Sequence, residues 1–473
     1  MHVDVSLLPV TCCLLPHMEG VGMTATIGTA AAIGALTEDD LQALAERSAA
    51  NGAFRAGQNA LGVASPRDAA LNRAAVTSTH HSFSHTLDAW SPTHQYETGR
   101  CWIFAALNLF RVGAAQKMHL KEFEFSQSFV MFWDKLERSN FVLQTFIDTA
   151  LELDDDDRTL AYINADPIQD AGQWDMLVNV VTRHGLVPKA LMPDTWSASN
   201  TRQMNGVLAQ QLRHGGKTLR AMRRAGRPQA EIDAHKADVL ATIYRVLRMC
   251  LGDPPSRFTW QWTDRDGAFH RDPERTPVEF FRAYVDLPVE EYVCLVNDPR
   301  NPYGRTYTVN CLNNVVGGNG VVYLNVEMEH LQQIAMDTIV GGEPVWFGCD
   351  ASKMSHNQLG IRHEAIYDFE SLFGIEHTLT RAERLLYGES VMTHAMLLTG
   401  VDVVDGAPRR WRIEDSYGTA PGDRGFQVMT NAWFSEYVYE IAVRRDRLAP
   451  HLRAALSQEP IVLPLWDPMG ALA

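Results

Sequence analysis

Gly99-Arg100-Cys101-Trp102-Ile103-Phe104-Ala105-Ala106-Leu107-Asn108-Leu109-Phe110-Arg111 contains one polar residue, Asn108, between Cys101 and Arg111. Apolar residues on every side predict a helix buried on most faces. Cys101 stands in its first turn, where the positive end of the helix and its unpaired amides favour thiolate over thiol. Gly99 permits a tight turn and close approach by a substrate backbone. Most cysteines in such a setting are structural thiols. Gln95, on the polar loop from Ser91 to Glu97, sets this one apart. Its side-chain amide and the Cys101 backbone amide would supply the two donors of an oxyanion hole, which stabilises the charge formed when a thiolate attacks a carbonyl.

A thiolate nucleophile needs an imidazole. His80, His81 and His85 cluster without a partner at metal-site spacing, so surface or core roles are expected for them. His94 is close to Cys101 in sequence but on the far side of Gln95. His394 opens an apolar run, His394-Ala395-Met396-Leu397-Leu398-Thr399, that continues through Val401, Val403 and Val404 as a strand. Asp405-Gly406 is a hairpin-turn signal, and Trp411-Arg412-Ile413-Glu414-Asp415 is the returning strand. The hairpin brings His394 within about a residue or two of facing Asp415. A carboxylate there can accept from the far imidazole nitrogen and orient the ring.

Composition limits the alternatives. Of 473 residues, 46% are hydrophobic and 21% charged, which excludes wholesale disorder and fibrous repeats. The net charge of −15 opposes general attraction to nucleic acid or anionic membrane. One basic run stands out: Arg213 to Arg227 has six Lys or Arg and no acid, and reads as a solvated helix face or subunit contact rather than a nucleic-acid patch. No uncharged apolar run reaches the roughly 18–20 residues of a membrane span. The seven cysteines are an odd number with no CxxC pair, which supports neither a disulfide framework nor a zinc ribbon and fits a reducing, cytoplasmic interior.

The chain is expected to be α+β. Residues 1–36 read as a poorly ordered extension, with Met23 an alternative start. A Thr37-Glu38-Asp39-Asp40 cap opens the organised sequence. Residues 37–150 form an N-terminal arm and the nucleophile helix, 151–280 a mainly helical insertion, and 281–360 a β-rich segment. Residues 361–457 carry His394 and Asp415 on strands. Residues 118–155 and 198–250 show helical spacing, and Glu290 to Val345 is β-like. The tail 458–473 has three prolines and neither helical nor strand period. Its apolar, uncharged end suits an arm lying in a groove.

These residues resemble the nucleophile segment of the papain superfamily and, more narrowly, the bleomycin hydrolase/aminopeptidase C family. Supporting blocks are Phe125-Ser126-Gln127-Ser128, Phe132-Trp133-Asp134-Lys135, Gly172-Gln173-Trp174-Asp175-Met176, Trp346-Phe347-Gly348-Cys349-Asp350 and Ala382-Glu383-Arg384-Leu385-Leu386-Tyr387-Gly388-Glu389-Ser390, continuing through Thr393-His394 to the end. The resemblance runs from about Thr37 to Ala473. It implies a papain-like fold enlarged by helical and hook insertions, and a homohexameric barrel with inward-facing sites. It also implies a cytosolic thiol aminopeptidase using Cys101, His394, Asp415 and Gln95, with no metal or organic cofactor, acting on peptides with free N-termini. Ala473 would pair its α-carboxylate with the substrate ammonium and restrict cleavage to the first residues.

Two positions depart from the family. Asp415 stands where the family has Asn, and Tyr417 where the superfamily has a Trp that shields the His–Asn contact. The extra charge is expected to stabilise imidazolium and move the basic limb of the pH–rate profile upward. The smaller ring is expected to shield less. Two other functions stay open at this point: a nucleic-acid-binding relative, and a catalytically impaired scaffold.

Overall fold

The computed structural model describes residues 34–49, 54–87 and 91–471. The expectation of disorder for the N-terminal extension therefore falls largely outside the described residues. Two units divide the chain at Ala64. The first holds the helices Glu38–Ala49 and Phe54–Leu61. Thr37 and Asp40 form the expected reciprocal cap: the Asp40 amide donates to Thr37 Oγ1 (3.2 Å) and the Thr37 amide to Asp40 Oδ2 (2.9 Å).

The second unit, Ser65–Ala473, is built around helix α1 (Cys101–Lys117) and a twelve-stranded mixed sheet. The sheet strands are β1 (His85–Thr86), β2 (Tyr292–Val296), β3 (Arg305–Val309), β4 (Tyr323–Asn325), β5 (Val345–Cys349), β6 (Ser355–His356), β7 (Ile361–Arg362), β8 (His394–Val404), β9 (Ala407–Glu414), β10 (Phe426–Thr430), β11 (Val438–Arg444) and β12 (Ile461–Leu463). Their order is β12-β3-β4-β2-β11-β5-β8-β9-β10-β7-β6, with β1 added to β8. Central strands β5, β8 and β11 are almost wholly buried, as near-continuous apolar runs require.

Trp102, Phe104 and Phe110 of α1 are buried, and each such side chain contributes roughly 1.5–3 kcal/mol. The Trp346 indole on β5 donates to the Trp102 carbonyl (3.2 Å), and the Trp102 indole donates to Asp170 O (2.7 Å). Gly172 lies flat against the Trp102 ring, and a Cβ there would come within 2.6 Å of it. Residue 172 is glycine because the nucleophile helix packs this closely.

Helices α2 (Gln127–Asp148), α4 (Arg202–Arg224) and α5 (Gln229–Leu251) extend the core as the helical spacing predicts, and α3 (Trp174–His184) joins them. The β-like reading of 290–345 needs one correction: Met328–Val340 is a helix. Its buried Leu331, Ile334, Ala335 and Ile339 cover the sheet at helical, not strand, spacing. The tail needs another, because Ile461–Leu463 forms β12, in parallel register with Tyr307–Val309. Prolines at 460 and 464 bracket those three residues and hide the strand in the sequence.

Candidate active site

Cys101 is the first residue of α1, preceded by Arg100 in a non-helical conformation. The first amides of a helix have no partner within it and are available to an anion. The side chain of Arg100 is buried, pairs with Asp194 (3.1 Å) and donates to Thr98 Oγ1 (3.1 Å). Gly99 passes close to Asp170, whose Cβ would sit 3.0 Å from any Cβ added there.

The hairpin forms as read. Asp405 (φ 51°) and Gly406 (φ 79°) are both left-handed, as a type I′ turn demands. The register pairs Leu397 with Glu414, with irregularities at Leu398/Gly400 and Asp402/Val403. Asp415 therefore lies diagonal to His394 on the same face, rather than opposite it. On its other side His394 pairs with Cys349 of β5. His394 Nε2 meets Asp415 Oδ1 at 2.8 Å, which leaves Nδ1 for Cys101. Burial lowers the pKa of the imidazole, but the charge of Cys101, the charge of Asp415 and hydrogen bonds to both outweigh it, raising it to about 10. Both neighbours therefore favour the protonated ring.

Asp415 is buried with both oxygens engaged. Oδ1 also accepts from the Ser416 amide (2.8 Å), while Oδ2 accepts from Arg362 Nη2 (3.2 Å) and Gln427 Nε2 (3.0 Å). Burial raises its pKa, but His394 and Arg362 together outweigh that and hold the carboxyl below the usual range. Arg362 and Gln427 carry no sequence signal; the parallel pairing of β7 with β10 brings them together. Tyr417 stacks on His394, centroids 5.7 Å apart and planes 19° apart. Tyr417 is itself 41% exposed.

Gln95 is buried beside this segment. Its amide N–H donates to Ser416 O (2.9 Å), and its side-chain Oε1 accepts from Ser416 Oγ (2.5 Å). Nε2 donates one hydrogen to Thr98 O (2.5 Å), so its second hydrogen is the one available to an oxyanion. Gly418 donates to Thr93 O (2.9 Å), and His94 bridges Tyr417. The loop before the helix is thereby stitched to the loop after β9. His94 serves this loop, its Nδ1 accepting from the Tyr96 amide (3.0 Å). A buried pair, Arg111 with Glu414 (2.5 Å), ties α1 to the end of β9.

The tail is held by three contacts. Gln173 Nε2 donates to Ala471 O (2.8 Å), Arg300 pairs with Asp467 (2.8 Å), and Arg158 lies 3.7 Å over the Trp466 ring. Ala473 lies outside the described residues. Three of the six basic residues of this run brace the fold: Arg213 donates to Asn164 O, Arg220 to Leu153 O, and Arg224 to Ala150 O. These guanidinium groups are committed to backbone carbonyls, which disfavours the nucleic-acid reading.

Residues 35–470 match the Peptidase C1-like family. The chain is 42% identical to the bleomycin hydrolase of Homo sapiens over 417 residues, covering 86% of this chain and 92% of that one. It is 40% identical to the aminopeptidase C of Listeria innocua over 393 residues, 83% of this chain and 88% of that one. The crystal structure of PepW from Lactobacillus rhamnosis HN001 superposes with a TM-score of 0.91 at 40% identity, covering 93% of this chain and all of that one. The fold is the papain-like α+β fold. The chain belongs to the Peptidase C1-like family, in its bleomycin hydrolase/aminopeptidase C branch, and is a cysteine peptidase.

Proposed function

We propose that this cysteine aminopeptidase uses Cys101 as nucleophile, His394 as general acid and base, Asp415 as the group that orients His394, and Gln95 with the Cys101 amide as the oxyanion hole. The observation that carries the reading is the buried chain from Asp415 through His394 Nε2 to Cys101 at a helix N-terminus. The Cys101 sulfur bonds to the carbonyl carbon of the first peptide bond. The tetrahedral oxyanion collapses, the C–N bond breaks, and the imidazolium gives its Nδ1 proton to the departing amine. Water then attacks the thioester, Nδ1 takes a proton, and the carbon–sulfur bond breaks. Amide hydrolysis of the bleomycin type follows the same path.

The tail supports an exopeptidase reading. A segment held at Gln173, Arg300 and Arg158, if it reaches the cleft, would limit how many residues fit ahead of the scissile bond. We assign the end of this arm, through Ala473, the part of holding the substrate ammonium. The assay compares free and N-acetylated aminoacyl fluorogenic amides with wild type, Cys101→Ser and a variant lacking residues 466–473. Wild type is expected to cleave the free amides alone. Cys101→Ser is expected to lose at least about 10³-fold in kcat/KM, as removal of a triad nucleophile does. The shortened variant is expected to accept blocked substrates. Activity retained by Cys101→Ser would refute the catalytic assignment.

A cytosolic homohexamer is the assembly we infer. The five described cysteines are unpaired, which suits a reducing compartment. Trp196, Met249, Phe269 and Tyr387 are exposed in the single chain and suit contacts between copies. Light scattering on the purified protein tests the count of six.

A further inference from the structure

Asp415 has two oxygens and two cationic neighbours, one to each. His394 takes Oδ1, and Arg362 approaches Oδ2 from β7. Arg362 is itself buried, and its position is fixed by groups other than Asp415. Its Nη1 donates to Ala351 O (3.0 Å) and Ser355 Oγ (3.0 Å), and the guanidinium lies 5.5 Å over the Trp433 ring. Its backbone is held between Ser355 of β6 and Met429 of β10. A guanidinium anchored in this way is in place before the carboxylate needs it.

We propose that Arg362 is a positioning residue of the reaction: it balances the negative charge at Asp415 so that the carboxylate stays ionised and aimed at His394. The inference rests on the reading that Cys101 and His394 do the chemistry. An amide at position 415 would need no counter-charge, whereas a buried carboxylate beside a thiolate does. The titratable groups facing this pair are His394 on β8, Cys101 on α1, Cys349 on β5 and Tyr417 after β9, with Asp350 beyond Cys349. Gln427 on β10 is a neutral donor and cannot replace the charge. Arg362 acts through Asp415 and touches no reacting atom.

The experiment is a double-mutant cycle read as kcat/KM against pH on a free aminoacyl amide, with thermal melting of every variant. Arg362→Ala is expected to lower kcat/KM about tenfold or more. It is also expected to move the acid limb to higher pH, because Asp415 loses a cation that helps keep it ionised. In the Asp415→Asn background the same substitution is expected to cost less than about threefold and to leave the acid limb in place. Arg362→Lys is expected to recover most of the activity. Equal losses in the two backgrounds would make Arg362 a structural brace and overturn the proposal, as would no loss beside Asp415. Should Arg362→Ala alone fail to fold, a folded double variant supports the pairing, and an unfolded one overturns it. Activity retained by Cys101→Ser would instead sink the catalytic reading itself.

Discussion

Asp415 and Glu440 are both buried carboxyl residues of one sheet region, yet they are driven in opposite directions. Asp415, just past β9, meets an imidazole, a guanidinium, a side-chain amide and a backbone N–H, and its pKa is lowered. Glu440, on β11, faces the weak donor Cys294 and the like-charged Asp175, with no stronger donor to either oxygen among the described residues. Burial, offset only in part by the Cys294 donor and reinforced by Asp175, raises it to about 8. Burial is common to both; partners decide which of them carries charge. The first is built to hold a cation, and the second behaves as a neutral acid inside the core.

The largest effect expected from breaking this contrast is at Asp415. Asp415→Ala removes the group that orients His394 and is expected to lower kcat/KM by roughly 10²–10⁴-fold, measured on a fluorogenic aminoacyl amide. It also strands Arg362 as a buried unpaired charge, expected to cost about 3 kcal/mol in urea unfolding. Glu440→Gln tests the other member. Folded Glu440 keeps its proton up to about pH 8, while in the unfolded chain it ionises near ~4.3. Between those values the unfolded state holds fewer protons, so stability falls as pH rises. The substitution is expected to flatten that fall by up to about 1.4 kcal/mol per pH unit, seen in denaturant curves from pH 5 to 8. An unchanged slope would mean that Glu440 ionises like an exposed acid. The smallest effect sharpens the first comparison. The His394 imidazolium is lost as pH rises through about 10, and Asp415→Asn is expected to bring that alkaline limb of kcat/KM down by about one unit.

The elements that bear the proposed catalytic residues were legible because each has a local signature. An all-apolar helix opening on a cysteine, a Gln on the preceding loop, and a Asp-Gly turn midway between an imidazole and a carboxylate are patterns a linear reading can find. The hairpin's diagonal offset was not legible, since it depends on irregular pairings inside β8 and β9. Arg362 escaped for another reason. A buried arginine on a two-residue strand looks like any surface arginine until β10 lies beside it. The helix at Met328–Val340 was missed because the β-rich segment around it outweighed its own three- and four-residue spacing. The Ser416–Gln95 contact joins positions 321 residues apart and has no counterpart in local pattern.

The buried ion pair between Arg111 and Glu414 has a consequence for how the enzyme fails. It fastens the rod bearing the sulfur to the ribbon bearing the imidazole's partner, deep inside a shared core. Parting the rod from the ribbon would leave two buried charges unpaired, a change expected to cost several kcal/mol. Loss of activity and melting of the sheet are therefore expected to coincide, as activity assays along a thermal melt would show.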